Sequence, residues 1–287
     1  MLTWHVSFFK TARFVVFSTF LAILTSVALF VGGVDREDGL VAHWEFNQNN
    51  DNTAEDSSGN GNDGTLVPAN STEAKWGTGQ FAGSLSLSGE NDHFVRVPSS
   101  ASLNNVKKQI TVVAHIYPRA LWAPGSSSRA YIAVVQRQWR EGSRGQYYLG
   151  YGPKNNVLNY KWHLGLVDAD MSIYRLPKGQ DKPAIGEWVH LAGTYNGETG
   201  EMSLYVNGDL IGGETHVGEI RLDPESFNRP LAIGAEINGP NTDDATGEFN
   251  GYIDDVRVYN RALSDKEIKI LAQEARMRTN EGTQNGR

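Results

Sequence analysis

Between Pro118 and Gly179 the sequence gathers side chains of the kinds that hold sugars. Trp122, Trp139, Tyr147, Tyr151, Tyr160 and Trp162 stand there among Arg137, Arg140, Asn155, Asn156 and Asp168. Aromatic faces stack on the apolar faces of sugar rings, and polar groups beside them bind hydroxyls. The candidate ligand-binding set is Trp122, Arg137, Trp139, Tyr147, Tyr151 and Asp168, with core packing as the competing role for each. Trp162 alternates with Leu164 and Leu166 and is expected to face inward. A different chemistry lies at Asp56–Gly64. Asp56, Asn60, Asn62 and Asp63 supply hard oxygens, and the glycines free backbone carbonyls, a set that calcium favours. The competing role is closure of turns by side-chain-to-backbone bonds. An EF-hand is excluded, because its twelfth position falls on Val67 instead of a bidentate Glu.

Other chemistries find little support. Asp168 and Asp170 put two carboxylates on one face of a strand, the nearest approach to a hydrolytic pair. The histidines form neither His-x-His nor His-Glu-x-x-His, and His190, inside an apolar stretch, reads as structural. No Gly-x-Ser-x-Gly elbow and no phosphate loop occur. The absence of cysteine rules out disulfides, thiolate metal sites and thiol catalysis. No residue is assigned a catalytic role. The net charge is −7, and no cluster of Lys or Arg offers a face to phosphates, so nucleic acid is not an expected partner.

The elements that must position these groups are mostly strands. Leu40, Ala42, Trp44 and Phe46 alternate with Val41, His43 and Glu45; Ile110, Val112, Ala114 and Ile116 do so with Thr111, Val113 and His115. Further strands are predicted at 85–88, 94–97, 131–135, 147–151, 161–167, 188–195, 202–206, 231–234 and 252–259, separated by Gly, Asn, Asp, Ser or Pro clusters. Trp44 and Trp188 are assigned to packing within their strands. Asn207-Gly208 predicts a hairpin, because both residues tolerate the positive φ of a type I′ turn. Ile253 and Val256 are three apart, which breaks the period of two and predicts a bulge at Asp254-Asp255. One clear helix comes last: Ser264–Glu267 has the form of a capping box, followed by Ile268, Leu271, Ala272 and Ala275. Residues 278–287 are expected to be a flexible tail. At the other end, residues 14–34 are uncharged and apolar behind Lys10 and Arg13. Residues 1–34 therefore read as a signal peptide or a membrane anchor, which sends the remainder outward. Residues 35–38 form a spacer, and 39–277 one folded domain.

Four stretches resemble laminin-G-like jelly-roll domains of the concanavalin A-like lectin/glucanase superfamily, as found in exported bacterial proteins. They are Gly39–Phe46, Asp56–Gly64, Gly186–Tyr195 with Leu204–Gly208, and Phe249–Ser264, in the family's order. The resemblance implies an all-β fold: a two-sheet antiparallel β-sandwich with an N-terminal hydrophobic helix and a short C-terminal helix. It also implies a structural Ca2+ site in which the Asp56 loop meets an acidic residue of the closing strand. The expected metal ligands are then Asp56, Asn60, Asn62 and Asp254. Enzymes of the laminarinase type on this fold carry Glu-x-Asp-x-x-Glu, which is absent here. The expected function is an exported, non-catalytic binding module, carbohydrate-binding or adhesive, in the periplasm or outside the cell. Its expected partner is a glycan or a cell-surface or envelope component, and its expected membrane contact is through residues 14–34 alone. A glycan-cleaving enzyme and a structural envelope interaction module are the alternatives.

Overall fold

The computed structural model describes residues 36–47, 52–68, 75–77, 83–89, 93–121, 131–139, 144–154, 157–167, 173–175, 183–220, 229–237 and 245–285. Residues 14–34, Trp122, Asp168 and Asp170 lie outside them. The chain divides into two compact units, Met1–Asp38 and Gly39–Arg287. Among the described residues no helix is long and apolar enough to cross a membrane.

In the second unit the strands come in the order predicted by the alternation, with several short additions. β1 (Leu40–Trp44), β2 (Thr53–Ala54), β3 (Gly64–Val67), β4 (Lys75–Trp76), β5 (Leu85–Ser88) and β6 (Phe94–Val97) lead to a one-turn helix, α1 (Ala101–Asn104). Longer strands follow: β7 (Gln109–Pro118), β8 (Ile132–Trp139), β9 (Arg144–Lys154) and β10 (Val157–Val167), then β11 (Ile173–Arg175). β12 (Val189–Asn196), β13 (Glu201–Val206) and β14 (Asp209–Thr215) form a meander. β15 (Leu231–Ile233), β16 (Glu236–Ile237), β17 (Ala245–Thr246) and β18 (Asn250–Tyr259) precede helix α2 (Asp265–Asn285). Asn207 and Gly208 have φ of 54° and 86°, as the type I′ turn between β13 and β14 requires.

Two large antiparallel sheets result, and β16 and β17 form a separate two-stranded pair. Sheet A runs β14-β13-β12-β7-β18-β5-β4, with β1 also on β18; sheet B runs β11-β10-β9-β8-β15-β6-β3-β2. Alternate residues of both sheets meet between them, among them Val112, Ala114, Ile116, Leu191 and Leu204 from sheet A and Val95, Val97, Val135, Leu149 and Leu231 from sheet B. The opposite parity of sheet A faces outward. There Val113, Ala192, Tyr205 and Tyr259 form a second apolar cluster with Leu263, Ile268 and Leu271, so α2 lies on the sheet's outer face. The predicted capping box closes its N-terminus: Glu267 Oε2 accepts from the Ser264 amide and hydroxyl at 2.7 and 2.6 Å. The helix runs on to Asn285, where the sequence predicted an end at Met277 and a flexible tail. No proline interrupts it, and Arg276 and Arg278 fasten its later turns to the Asn207 carbonyl and to Asp255.

β1 and β5 share one edge of β18. β5 pairs with Asn250–Ile253 and β1 with Val256–Tyr259. The predicted bulge falls at the join: against β7 the register slips between Asp254 and Arg257, and Asp255 takes a φ of 49°.

Candidate functional site

The Asp56–Gly64 loop lies along the free edge of β1. Asp56 Oδ1 accepts from the His43 and Ser58 amides at 2.9 and 3.0 Å, and Oδ2 from the Ser58 hydroxyl and the Asn62 amide, both at 2.9 Å. Asn60 Nδ2 donates to the Leu40 and Val41 carbonyls, and Asn62 Nδ2 to Val41 at 2.8 Å. Asn62 Oδ1 accepts from the Ser100 and Ser102 hydroxyls, while the buried Trp44 indole donates to the Asn62 carbonyl at 2.9 Å. Asp254, by contrast, accepts from the Asp255 amide at 2.6 Å and has Asp255, Glu45 and Arg278 as its charged neighbours. As arranged, both Asp56 carboxylate oxygens and Asn62 Oδ1 accept from protein donors, Asn60 is held through its Nδ2, and Asp254 Oδ1 accepts from its own strand, so the four do not present a calcium ion with converging oxygens. Among the described residues no group of three acidic or histidine side chains converges as metal ligands do. The arrangement has the bonding of interlocked turns. Metal-free protein is therefore expected to melt at the same temperature with and without added calcium; a calcium-dependent rise would mean that the loop rearranges around the ion.

The loop and the closing strand do meet, but through His43. Its amide binds Asp56, and its Nε2 lies 2.7 Å from Asp255 Oδ1. At the bulge, with its positive φ, Asp255 lies on the outer side of sheet A beneath α2, where Arg257 Nε reaches the same oxygen at 2.9 Å and Arg278 of α2 reaches Oδ2. Burial pushes the Asp255 carboxyl up, but Arg257, His43 and Arg278 outweigh it and hold it well below the usual range. Asp254 goes the other way. Burial first, and the neighbouring Asp255 second, raise it to about 8. His115, directly opposite Asp254, and His190, directly opposite His115, are lowered by burial to about 4 and about 3. Across β12, β7 and β18 there is thus a row of side chains uncharged at neutral pH.

Asp254 also sets a pH dependence. A carboxyl whose pKa is raised on folding keeps its proton in the folded state while the unfolded chain loses it. Its stabilising contribution is therefore full below the ordinary carboxyl value of 3.8 and is lost as pH climbs to about 8. Asp254→Asn, which imitates the protonated form, is expected to flatten the decline and raise stability at pH 8 by about 1–3 kcal/mol. Urea titrations of both proteins at several pH values between these limits measure it.

The aromatic residues singled out in the sequence go elsewhere. Tyr147 and Arg137 stand opposite one another on β9 and β8 and are each 1% exposed; Tyr151 is fully buried. All three point between the sheets, so none offers a face to an outside ligand. The cause is parity: Tyr147, Leu149 and Tyr151 share the inner face, while the outer face carries Gly150 and Gly152 beneath the rings of Tyr148 and Tyr131. Trp139 lies on β8 with its side chain outside the described set, as are Trp122 and Asp168 altogether.

An open aromatic row occurs instead on the outer face of sheet A. Tyr252 of β18 pairs with Tyr117 of β7, and Trp188, just before β12, continues the row. All three are partly exposed. Tyr117 meets Trp188 and Tyr252 edge-on, with centroids 5.7 and 5.9 Å apart; Trp188 stacks on His115 at 4.6 Å. The exposed Arg119 lies 5.1 Å over the Tyr252 ring and donates to the Leu87 carbonyl at 2.5 Å. Gly186, at φ 79°, turns the chain into the row and donates to the Pro118 carbonyl. Sequence reasoning assigned Trp188 to packing; the signal it passed over was the parity it shares with His190 and Ala192 of the outer face.

Comparison with known proteins agrees with this architecture. Residues 88–269, more than half of the chain, match the family described as the concanavalin A-like lectin/glucanases superfamily. A segment of 89 residues, 30% of the chain, is 35% identical to pentraxin-related protein PTX3 of Mus musculus, of whose length it spans 23%. Among solved structures, domain 4 of AbnA, a GH43 extracellular arabinanase from Geobacillus stearothermophilus in complex with arabinotriose, superposes with a TM-score of 0.55. It is 22% identical, over 82% of this chain and 98% of that domain. The binding domain of Paraclostridial Mosquitocidal Protein 1 gives 0.58 at 18% identity, over 83% of this chain and 52% of that one. At these identities the likeness is one of fold. With its family match lying across both sheets of the sandwich, the chain belongs to the concanavalin A-like lectin/glucanase superfamily.

Proposed function

We propose that the protein is an exported, non-catalytic binding module that recognises a glycan through the outer face of sheet A. The observation that carries this reading is the row Trp188, Tyr117 and Tyr252, partly exposed side by side on β7, β18 and the residue leading into β12. Strands lie about 4.8 Å apart, close to the length of one pyranose ring, so a row of this kind suits successive sugars of an extended chain. Beside it lie Arg119 and the uncharged row of Asp254, His115 and His190. Partly exposed aromatic surface flanked by polar groups is the composition of a sugar site. The arabinotriose held by the AbnA domain gives a precedent for glycan binding on this fold, though not for this face. Export rests on the charge and length of residues 1–34. A glycan array followed by calorimetry on the best oligosaccharides tests the reading, with a polysaccharide digestion panel run in parallel. Saturable binding without turnover supports it. Silence on the array, with an envelope protein captured instead, moves the role to adhesion; turnover moves it to catalysis.

A further inference from the structure

Arg137 is a buried cation with no counter-charge among the described residues. Its guanidinium donates to the Leu103 carbonyl at 2.5 Å, to Asn104 Oδ1, and at 3.4 Å to the Ser99 hydroxyl. All three are neutral acceptors in or just before α1, and among the described residues no carboxylate pairs with it. Its Nε–H has no hydrogen-bond partner, and neither has the hydroxyl of Tyr147, the residue directly opposite on β9. Both side chains are 1% exposed. Burying an unpaired charge costs several kcal/mol, and each orphaned donor adds about 1–3 kcal/mol. A structure this well packed elsewhere has reason to resolve such a combination.

We propose that Arg137 and Tyr147 hold a small monovalent anion of the halide class, such as chloride, between the two sheets. Both orphaned groups are donors, so their natural occupant is a pure acceptor that also carries negative charge. A water molecule accepting both hydrogens would bring two more hydrogens of its own into an apolar interior, the core to which Leu103, Leu149 and Leu231 belong. It would also leave the guanidinium uncompensated. A tetrahedral oxyanion has more acceptor sites than two donors can satisfy, and more bulk. The Tyr147 hydroxyl remains a donor throughout the physiological range, since burial pushes its pKa up to about 12.

The test uses the full chain. Its melting temperature is measured in sodium chloride and in sodium gluconate at matched ionic strength, and crystals are soaked in bromide. The expected result is a saturable, chloride-specific rise of about 5 °C, as one bound ion stabilises the folded state, with a bromide anomalous peak between Arg137 Nε and Tyr147 Oη. Tyr147→Phe keeps the volume, removes one donor, and is expected to lose most of the chloride dependence; Arg137→Met is expected to lose all of it. Should Arg137→Met fail to fold, Tyr147→Phe and the bromide peak decide. Equal melting in both salts without a peak overturns the proposal in favour of water. A chloride effect that Tyr147→Phe leaves intact overturns it too, since the ion then acts elsewhere.

Discussion

Replacing Asp255 by alanine lowers the stability of the sandwich by about 3–5 kcal/mol, the loss expected when one member of a buried ionic cluster is removed. Asp255 is 2% exposed and joins three elements: β1 through His43, its own strand through Arg257, and α2 through Arg278. Without it Arg257, 8% exposed, keeps its charge in a low-dielectric site with no carboxylate to answer it. Alanine also tolerates the φ of 49° less well than aspartate, whose short polar side chain bonds locally. For a domain of this size the loss corresponds to a fall in melting temperature of about 10 °C. Arg278→Ala is the contrast. That arginine side chain is 40% exposed, so water can replace its partner and the cost stays at about 1 kcal/mol or less. The carboxyl's depressed pKa fixes the sign of its pH dependence. Its contribution is present above the unfolded value of 3.8 and disappears as pH falls below it. Denaturant midpoints of the two variants near neutrality and in mild acid check both statements; equal losses for Asp255→Ala and Arg278→Ala would refute the hub.

Trp188→Ala is expected to weaken the proposed glycan binding at least 30-fold while costing about 2–3 kcal/mol of stability. Central tryptophans of binding sites commonly contribute 2 kcal/mol or more, and truncating a ring packed on His115 and Tyr117 also gives up buried area. The variant has a second signature. Trp188 stacks on His115 and helps exclude water from it, and that burial is the main cause of the histidine's pKa of about 4. Removing the indole lets the pKa climb back toward 6.5, which a proton NMR titration of the imidazole follows. Tyr151→Phe is the matched control. Its hydroxyl meets the Ala120 carbonyl inside the sandwich, so stability drops slightly and binding stays unchanged. Should Trp188→Ala move the histidine titration without weakening binding, the row is a structural face and the assignment of a glycan site to it fails.

What the sequence made legible was local. The Asn207-Gly208 turn, the Ser264–Glu267 cap and the bulge at Asp254-Asp255 are each written within a few residues, where steric preference and hydrogen-bond reach decide the outcome. The site was less legible because exposure depends on what covers a face. Tyr147 and Tyr151 looked available as members of an aromatic cluster, yet the glycines alternating with them already marked the opposite face as the outer one. Trp188 looked buried because its strand is apolar. How much of the outer face of sheet A is hidden depends on how far α2 reaches, and amphipathic spacing alone gives no such length. The Asp255 hub was out of reach for another reason: His43 and Asp255 are 212 positions apart, and only the sharing of one edge of β18 brings them together.

That shared edge also dictates when the molecule can form. The first strand of the sandwich pairs with the last, so the ladder at Leu40–Trp44 stays unmade until Asn250–Tyr259 is available. Both β1 and β5 wait for it, as does the outer side of β7. A chain emerging from its amino end therefore cannot close the sandwich early, and such non-local pairing folds slowly. Until closure it displays open strand edges, the state most prone to joining other chains. The interval in which a chaperone could shield those edges is correspondingly long.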